Sequence, residues 1–507
     1  MIKPLRCFRL ALVILFTSLP LFGVVEVSPI FTDHMVLQRG KPVPIWGTAA
    51  AGEAIRVTLA GQEHQSRAGE DGRWRVDLSP MEAGGPHELV VSGSNEVRVT
   101  DVLVGEVWLA SGQSNMEWKM SRALDFDLEQ AIAADASQIR FIPVKNPGAQ
   151  EPAAGVKGAW QVATPETLAD ASAVAYHFAR VLHAALGVPV GIIENAWGGS
   201  SAEAWVDREV IRSREGLRSI HETWLEIESD YDFAEEVRKW EEKVRQWEAA
   251  RDAGEAKGNR PNKPQNRMVG QHRPGNLWNA RVLPVVPYAI RGVIWYQGES
   301  NSSRWNQYRE LFGTLIQEWR AAWGEEFPFY WAQLADFRTE AVFSETDTWP
   351  YLREAQTLVM EDLPQTGQAV LIDVGEGKDI HPRDKLTVGR RLARWALHKD
   401  YGFGSVFHRS PQLRAWRQEG DRVILEFAHT GTGLRALETN ELVGFVVQRG
   451  GQWSTVSGRI SEVDQVTLQL QGTEPVEAVR YAWADNPPCN LFSMEGLPVT
   501  PFRTDVD

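Results

Sequence analysis

The sequence predicts an α/β protein built on a parallel sheet covered on both faces, interrupted by a helical insertion and flanked by β-domains. Three observations carry that expectation. Between about residues 101 and 405, short apolar runs alternate with amphipathic helical segments, which is how parallel strands joined by crossover helices read. Towards both ends the pattern changes to period-two alternation broken by Gly and Pro, the signature of short antiparallel strands. The length, 507 residues, allows about three domains at roughly 100–200 residues each.

Residues 1–23 place Lys3, Arg6 and Arg9 ahead of an apolar run from Leu10 to Phe16 that continues patchily to Phe22. This is the layout of a secretory signal peptide, and the run is too short to span a bilayer. A secreted or periplasmic location is therefore expected. Cys7 precedes the apolar run, which excludes lipid attachment there, and Cys489 is the only other cysteine, so the exported chain keeps one thiol and no internal disulfide.

From residue 24 to 100, Val43–Trp46, Ala54–Leu59, Arg73–Leu78, Glu88–Ser92 and Glu96–Thr100 read as strands of a small antiparallel sandwich. The α/β region begins at 101 with the nearly continuous apolar strand Val102–Ala110. A helical stretch near Leu124–Ala134 follows, then the amphipathic helix Ala171–Leu186 closed by Gly187, and a second buried strand, Val188–Trp197. Residues 207–279 break the alternation: charges dominate, Trp224, Trp240 and Trp247 punctuate a helical segment, and Gly254–Gln265 is rich in Gly, Asn, Pro and Lys, which together suit an inserted helical hairpin. The alternation resumes over 280–405 with strands Arg291–Tyr296, Phe327–Leu334 and Ala369–Val374. The intervening helices are Tyr308–Trp323, Leu352–Met360 and Arg383–His398, the last with Pro382 in its first turn. Over 406–507, strand-like runs at Arg422–Phe427, Leu442–Gln448, Gln465–Leu470 and Ala478–Trp483 indicate a terminal β-domain.

Composition narrows the function classes. With 67 acidic against 53 basic residues and a net charge of −14, the chain offers no electrostatic attraction to nucleic acid or to an anionic membrane. The 21 Trp hint at flat stacking surfaces for sugars, with core packing the plainer explanation for any one of them. Oligomeric state is not legible.

Four turns carry the chemistry. Gly112-Gln113-Ser114-Asn115-Met116 follows the first apolar strand and sets a serine at the ligand-binding edge of the sheet; Met116 stands where a nucleophile elbow requires Gly. Gly198-Gly199-Ser200-Ser201 follows the second strand, and its glycines allow a backbone N–H to approach developing oxygen charge. Trp295-Tyr296-Gln297-Gly298-Glu299-Ser300-Asn301 follows the third, with the Gln297 amide as a candidate donor and Glu299 as a structural carboxylate. Asp379-Ile380-His381-Pro382 precedes a helix, and of the 11 His only this one sits beside an Asp in such a loop. Strand ends on one side of a parallel sheet form one edge, so nucleophile, base and oxyanion donors converge there, the specification for acyl transfer to serine and then to water. The chain has no H-E-x-x-H, no Cys cluster, no phosphate-cradling Gly-rich loop and no dinucleotide fingerprint, so neither a metal nor an organic cofactor is expected.

In combination, the Ser114, Trp295–Ser300 and Asp379–Pro382 motifs, together with His34-Met35-Val36-Leu37-Gln38 and the stretch Tyr481–Leu491, resemble the sialate O-acetylesterase family of the SGNH hydrolase superfamily. The chain is similar also to bacterial esterases that deacetylate plant polysaccharides such as xyloglucan or xylan and carry a comparable insertion. The resemblance implies a flavodoxin-like three-layer fold, Ser114 as nucleophile, His381 as base, and an oxyanion hole from the Ser114 N–H, Gly198 and Gln297. Two departures stand out. The superfamily commonly has Asn where Gln297 stands, and its orienting Asp usually lies three residues before the His, where this chain has Lys378. Asp379, two before, is the candidate orienting acid, with a carboxylate from the insertion or a backbone carbonyl as alternatives. The expected activity is hydrolysis of O-acetyl esters on a carbohydrate, with Trp205 and Trp305, just beyond the Gly198 and Gln297 turns, placed to meet the sugar. The rivals are a non-catalytic carbohydrate-binding protein on an esterase scaffold and an esterase or lipase acting on non-sugar esters.

Overall fold

The computed structural model describes residues 24–505 except 134, 135 and 256, so the expected signal peptide, residues 1–23, lies outside the described residues. The strands of the central sheet run in the order Ile139–Pro143, Val190–Ala196, Glu96–Gly112, Gly292–Tyr296, Phe329–Ala332 and Thr366–Ala369. Each pair of neighbours is parallel, and the short antiparallel strand Gln161–Val162 borders Ile139–Pro143.

Both faces of this sheet are apolar, and the period of two decides which residue goes where. Val107, Leu109, Val293, Trp295, Phe329 and Trp331 enter one core; their neighbours Trp108, Ala110, Ile294, Tyr296, Tyr330 and Ala332 enter another. The helices Trp305–Trp323 and Trp349–Asp362 cover the first face, and Ala173–Leu186 and Lys385–Lys399 cover the second. A fully buried Trp removes roughly 200 Å² from water, which at ~25 cal/mol per Å² contributes about 5 kcal/mol before its ordering entropy is subtracted. The helix Ala173–Leu186 is bounded as its sequence requires: the Ser172 hydroxyl accepts from the Ala175 N–H at 3.3 Å, and Gly187 takes a left-handed φ of 65°.

Two local expectations are corrected and one strand is added. The last parallel strand is Thr366–Ala369 rather than Ala369–Val374, because Val370 and Ile372 leave the sheet to pack into the C-terminal core. The final helix begins at Lys385, capped by the Asp384 carboxylate 3.0 Å from the Thr387 N–H, so Pro382 lies in the preceding loop. The strand Gln62–Arg67 has an all-polar sequence, QEHQSR, and gave no apolar signal; it is held by antiparallel pairing to Ala54–Leu59.

The strand Glu96–Gly112 runs straight through the boundary expected at 100/101. Its first part pairs antiparallel with Gly84–Ser92, and Leu103 to Gly105 pair parallel with Val36–Gln38. From Glu106 onward it is the central strand of the parallel sheet, with Asp101 at φ 53° marking the change of course. The C-terminal residues form a seven-stranded sheet, ordered Gln412–Glu419, Arg422–Ala428, Gln465–Gln469, Gln452–Glu462, Leu442–Arg449, Ala478–Tyr481 and Phe502–Arg503.

Within 207–279, helices Arg208–Ser213, Arg218–Ser229 and Phe233–Asp252 are followed by a mostly irregular return. Trp240 and Trp247 pack against that return. Their indole N–H groups donate to Pro261 O at 3.0 Å and Gly258 O at 3.2 Å, and Arg260 and Lys263 lie over the Trp240 ring. Among the described residues no helix is long and apolar enough to cross a membrane.

Candidate active site

The strand Glu96–Gly112 ends in a turn only glycine allows: Gly112 has φ 132°, and a Cβ there would stand 2.2 Å from Tyr296 O. The chain then enters the one-turn helix Ser114–Glu117, which puts Ser114 at its first position with no intrahelical acceptor for its N–H. Ser114 Oγ lies 2.8 Å from His381 Nε2, across 267 residues of sequence. On the other side of the ring, His381 Nδ1 is 3.3 Å from Asp379 Oδ1, and that same oxygen accepts the His381 backbone N–H at 2.9 Å. Asp379 is thus folded back on its own loop, with its side chain 52% exposed. Trp118 stacks on the imidazole, centroids 5.0 Å apart and planes 18° from parallel. Burial, with a smaller push from Lys385 and Arg122, holds the His381 pKa below its ordinary 6.5 against the upward pull of Asp379.

Beside the Ser114 N–H, the two other expected oxyanion donors are placed differently from each other. Gly198 faces Ser114: a Cβ on it would be 3.5 Å from Ser114 Cβ. Its N–H donates to Glu117 Oε2 at 2.7 Å. Gln297 is completely buried and spends both amide hydrogens elsewhere, on Ser200 O at 3.1 Å and Asn301 Oδ1 at 2.7 Å, while its Oε1 accepts from the Tyr308 hydroxyl at 2.9 Å. The expectation that Gln297 offers an N–H to the oxyanion is corrected on this geometry: the side chain ties the Gly198–Ser201 turn to the 297–301 turn and presents no free donor.

Several residues went unremarked in the sequence. Asn115, next to Ser114, donates to Glu299 Oε1 at 2.6 Å and to Ile380 O at 3.0 Å, and accepts from Lys385 Nζ at 2.6 Å. It therefore ties three of the four turns together. Lys385 opens the helix that follows the His381 loop, four positions beyond His381, and that place is the signal that could have found it. It is fully buried, and burial pushes its ammonium pKa down to about 7, with Glu299 opposing. Burial raises the Glu299 carboxyl, whose Oε2 has no hydrogen-bond partner among the described residues. The structural part expected of Glu299 agrees with this placement. Gln113 Oε1 accepts from the N–H groups of Gly298 and Ser300 at 3.4 and 3.3 Å.

Of the tryptophans expected to meet sugar, Trp205 is wholly buried. Its indole N–H donates to Ser200 Oγ at 3.0 Å, and it packs edge-on against Trp295, so it braces the turn from behind. Trp305 is half-buried, with one face stacked on Tyr351 at 4.5 Å. The insertion returns to the edge here: Gln271 O accepts the Ser201 N–H at 3.2 Å and His272 Nδ1 lies 2.8 Å from Ser201 Oγ. A cavity of about 380 Å³ opens there between Trp224, Ile227 and the segment 265–272.

Residues 275–397 match the family model described as carbohydrate esterase, sialic acid-specific acetylesterase. The sialate O-acetylesterase of Rattus norvegicus is 28% identical over 526 residues, covering 94% of this chain and 93% of that protein. The Homo sapiens sialate O-acetylesterase is 27% identical over 516 residues, covering 93% and 90%. The crystal structure of a carbohydrate acetylesterase from Xanthomonas citri superposes with a TM-score of 0.80 at 34% identity, covering 96% of this chain and all of that one. With a serine and a histidine in hydrogen-bond contact at the sheet edge and likeness of this extent to acetylesterases, the chain belongs to the carbohydrate acetylesterases, its residues 275–397 matching their sialic acid-specific family, and is a carboxylic ester hydrolase.

Proposed function

We propose that this chain is an exported serine esterase that removes O-acetyl groups from a carbohydrate through an acyl-enzyme. The observation that carries the reading is the 2.8 Å contact between Ser114 Oγ and His381 Nε2. His381 takes the proton as Ser114 attacks the acetyl carbonyl, then passes it to the departing sugar hydroxyl, and in the second half activates water against the acetyl-serine. Asp379 orients the ring through Nδ1. The N–H groups of Ser114 and Gly198 receive the tetrahedral oxyanion, with Gly198 exchanging Glu117 for substrate. Gln297 holds the turn that carries Gly198 and leaves donation to the backbone.

Around this site we propose a flavodoxin-like SGNH architecture. If the edge strand Ile139–Pro143 is set aside, the remaining parallel strands run 2-1-3-4-5 in chain order, which supports that reading. The domains we propose are a signal peptide at 1–23, a β-domain at 24–100, the hydrolase at 101–206 and 280–405, the helical insertion at 207–279 and a C-terminal β-domain at 406–507. Export rests on the Lys3, Arg6 and Arg9 cluster ahead of its apolar run. The alcohol side of the substrate lies towards Trp118, Gln271 and His272, where the insertion borders the Gly198–Ser201 turn.

Ser114→Ala is expected to lower hydrolysis of p-nitrophenyl acetate by about 10³-fold or more, and to abolish acetate release from acetylated glycans. Retention of full activity would remove Ser114 as nucleophile. Faster turnover of long-chain esters than of acetate would replace the acetylesterase reading with that of a lipase.

A further inference from the structure

On the sheet face covered by the helices Ala173–Leu186 and Lys385–Lys399 lies a buried polar cluster that ester hydrolysis does not use. Asp125 and Glu129 stand four residues apart, one turn, at the start of and within the helix Phe126–Ile132. His177 comes from Ala173–Leu186. One donor atom from each of the three falls within 4.8 Å of the other two, and His177 Nε2 is 3.3 Å from Asp125 Oδ2. Glu129 is 1% exposed and His177 not at all.

What sets this cluster apart from an ordinary acidic patch is its unmet bonding. Among the described residues, Asp125 Oδ2, Glu129 Oε2, both ring nitrogens of His177 and the neighbouring Tyr176 hydroxyl have no hydrogen-bond partner. Arg180 Nη1 approaches Glu129 Oε2 to 2.9 Å without the alignment of a hydrogen bond. An imidazole with neither nitrogen satisfied, wholly buried and facing two carboxylates, is costly unless something accepts its lone pair.

We propose that Asp125, Glu129 and His177 bind a divalent transition cation, zinc by donor chemistry, at a structural site separate from Ser114. One imidazole nitrogen and two carboxylate oxygens suit zinc, whereas calcium and magnesium take all-oxygen sets. Donors at about 2.0–2.2 Å from a tetrahedral ion lie roughly 3.3–3.6 Å from one another, so the Asp125–His177 pair is already at ligating separation and Glu129 needs only a small inward shift. Water completes the coordination. The ion would fasten the Phe126–Ile132 helix to Ala173–Leu186. It would also steady the way into that helix, because the Leu124 N–H donates to Arg383 O at 3.2 Å, two residues beyond His381. Sequence patterns miss such a site: Asp125 and Glu129 lie about fifty positions from His177, in no zinc-binding spacing.

The test uses the full exported chain, stripped with a chelator and titrated with zinc sulfate alone by calorimetry, with thermal denaturation alongside. One zinc per chain is expected, raising Tm by about 2–5 °C at a hundredfold excess over Kd. Asp125→Asn and His177→Gln, verified as folded by circular dichroism, should lose both the stoichiometric binding and the Tm rise. Cobalt(II) added to the wild-type chain should give visible d–d bands that zinc displaces, a readout independent of whether the variants fold. Absence of stoichiometric zinc binding by the wild-type chain, undiminished binding by the folded variants, or stabilisation by calcium but not by zinc would each overturn the proposal.

Discussion

The loop after Tyr296 and the loop that carries His381 both border the Ser114 turn, and they are built in opposite ways. In the first, Gln297 is fully buried and satisfied at both ends of its amide, its carbonyl accepts from Tyr308 and Gln356, and Asn301 links on to Glu203. In the second, Asp379 is half in solvent, its carboxylate oxygen serves two N–H groups of one neighbour, and Glu376 and Arg383 close the loop by an exposed ion pair. A buried network with every member paired is rigid and intolerant of deletion, whereas an exposed carboxylate is screened by water and salt. One loop therefore sets the geometry of the site, and the other sets the protonation of its base.

Substitutions can break or sharpen that contrast. The largest effect is expected for Gln297→Ala, which leaves Ser200 O without its donor and takes one of two partners from each of Asn301 Oδ1 and the Tyr308 hydroxyl. At about 1–3 kcal/mol for a buried group left unpaired, with the weakened bonds and the emptied side-chain volume adding to it, urea denaturation should report a loss of about 2–4 kcal/mol, and kcat should fall about 10²-fold as the Gly198 turn loosens. Wild-type stability in this variant would mean that the loop is not the rigid one.

Asp379→Asn is expected to act more mildly. A triad aspartate that is fully buried is worth about 10⁴ in kcat, but this one is half exposed and 3.3 Å from Nδ1, so a loss of about tenfold is expected. The sign of the pH effect follows from the charge. Burial holds the His381 pKa below 6.5, so the neutral base persists to lower pH than for a free histidine, and kcat/KM should rise with pH through that lowered value. Asp379 pulls the pKa up, so its neutralisation should move the acidic limb to still lower pH. A limb that stays put or moves upward would assign the orienting role to another group.

The smallest effect is expected for Glu117→Gln. Glu117 occupies, at 2.7 Å, the Gly198 N–H that we propose as an oxyanion donor. Replacing a charged acceptor with a neutral one should make that N–H easier to exchange and raise kcat/KM about two- to threefold with p-nitrophenyl acetate, a fraction of the roughly 1.5–3 kcal/mol such a bond is worth. A fall of tenfold instead would make Glu117 a participant.

The sequence made the parallel sheet and its edge legible because both depend on patterns along the chain. Nearly continuous apolar strands such as Val102–Ala110 and Arg291–Tyr296 declare burial on both faces, and a polar turn or loop follows each parallel strand, so Ser114 and His381 could be assigned to one edge before any distance was known. What depends on partners across the fold was not legible. Gln297 reads as a donor in isolation; only the positions of Ser200, Asn301 and Tyr308 reveal that its hydrogens are spent. Trp205 sits beyond a motif like a residue that greets substrate, yet the helix Trp305–Trp323 covers it, with Trp319 donating its indole N–H to Trp205 O at 3.0 Å. Six of the tryptophans, Trp108, Trp205, Trp295, Trp319, Trp331 and Trp483, rank among the largest fully buried side chains, so much of the excess that hinted at sugar is core. Trp118, half-buried against His381, is the aromatic that borders the reacting groups.

The unbroken course of Glu96–Gly112 couples distant parts of the molecule mechanically. One covalent rod is the outer partner of Gly84–Ser92 at its beginning and the central plank under Ser114 at its end. The β-layer before residue 101 and the sheet beyond it should therefore melt in one cooperative step. A truncation starting at Asp101 would not release a tidy hydrolase: it would bare Val102 and Val104 along an unpaired edge, inviting association with other chains before the serine turn is secured.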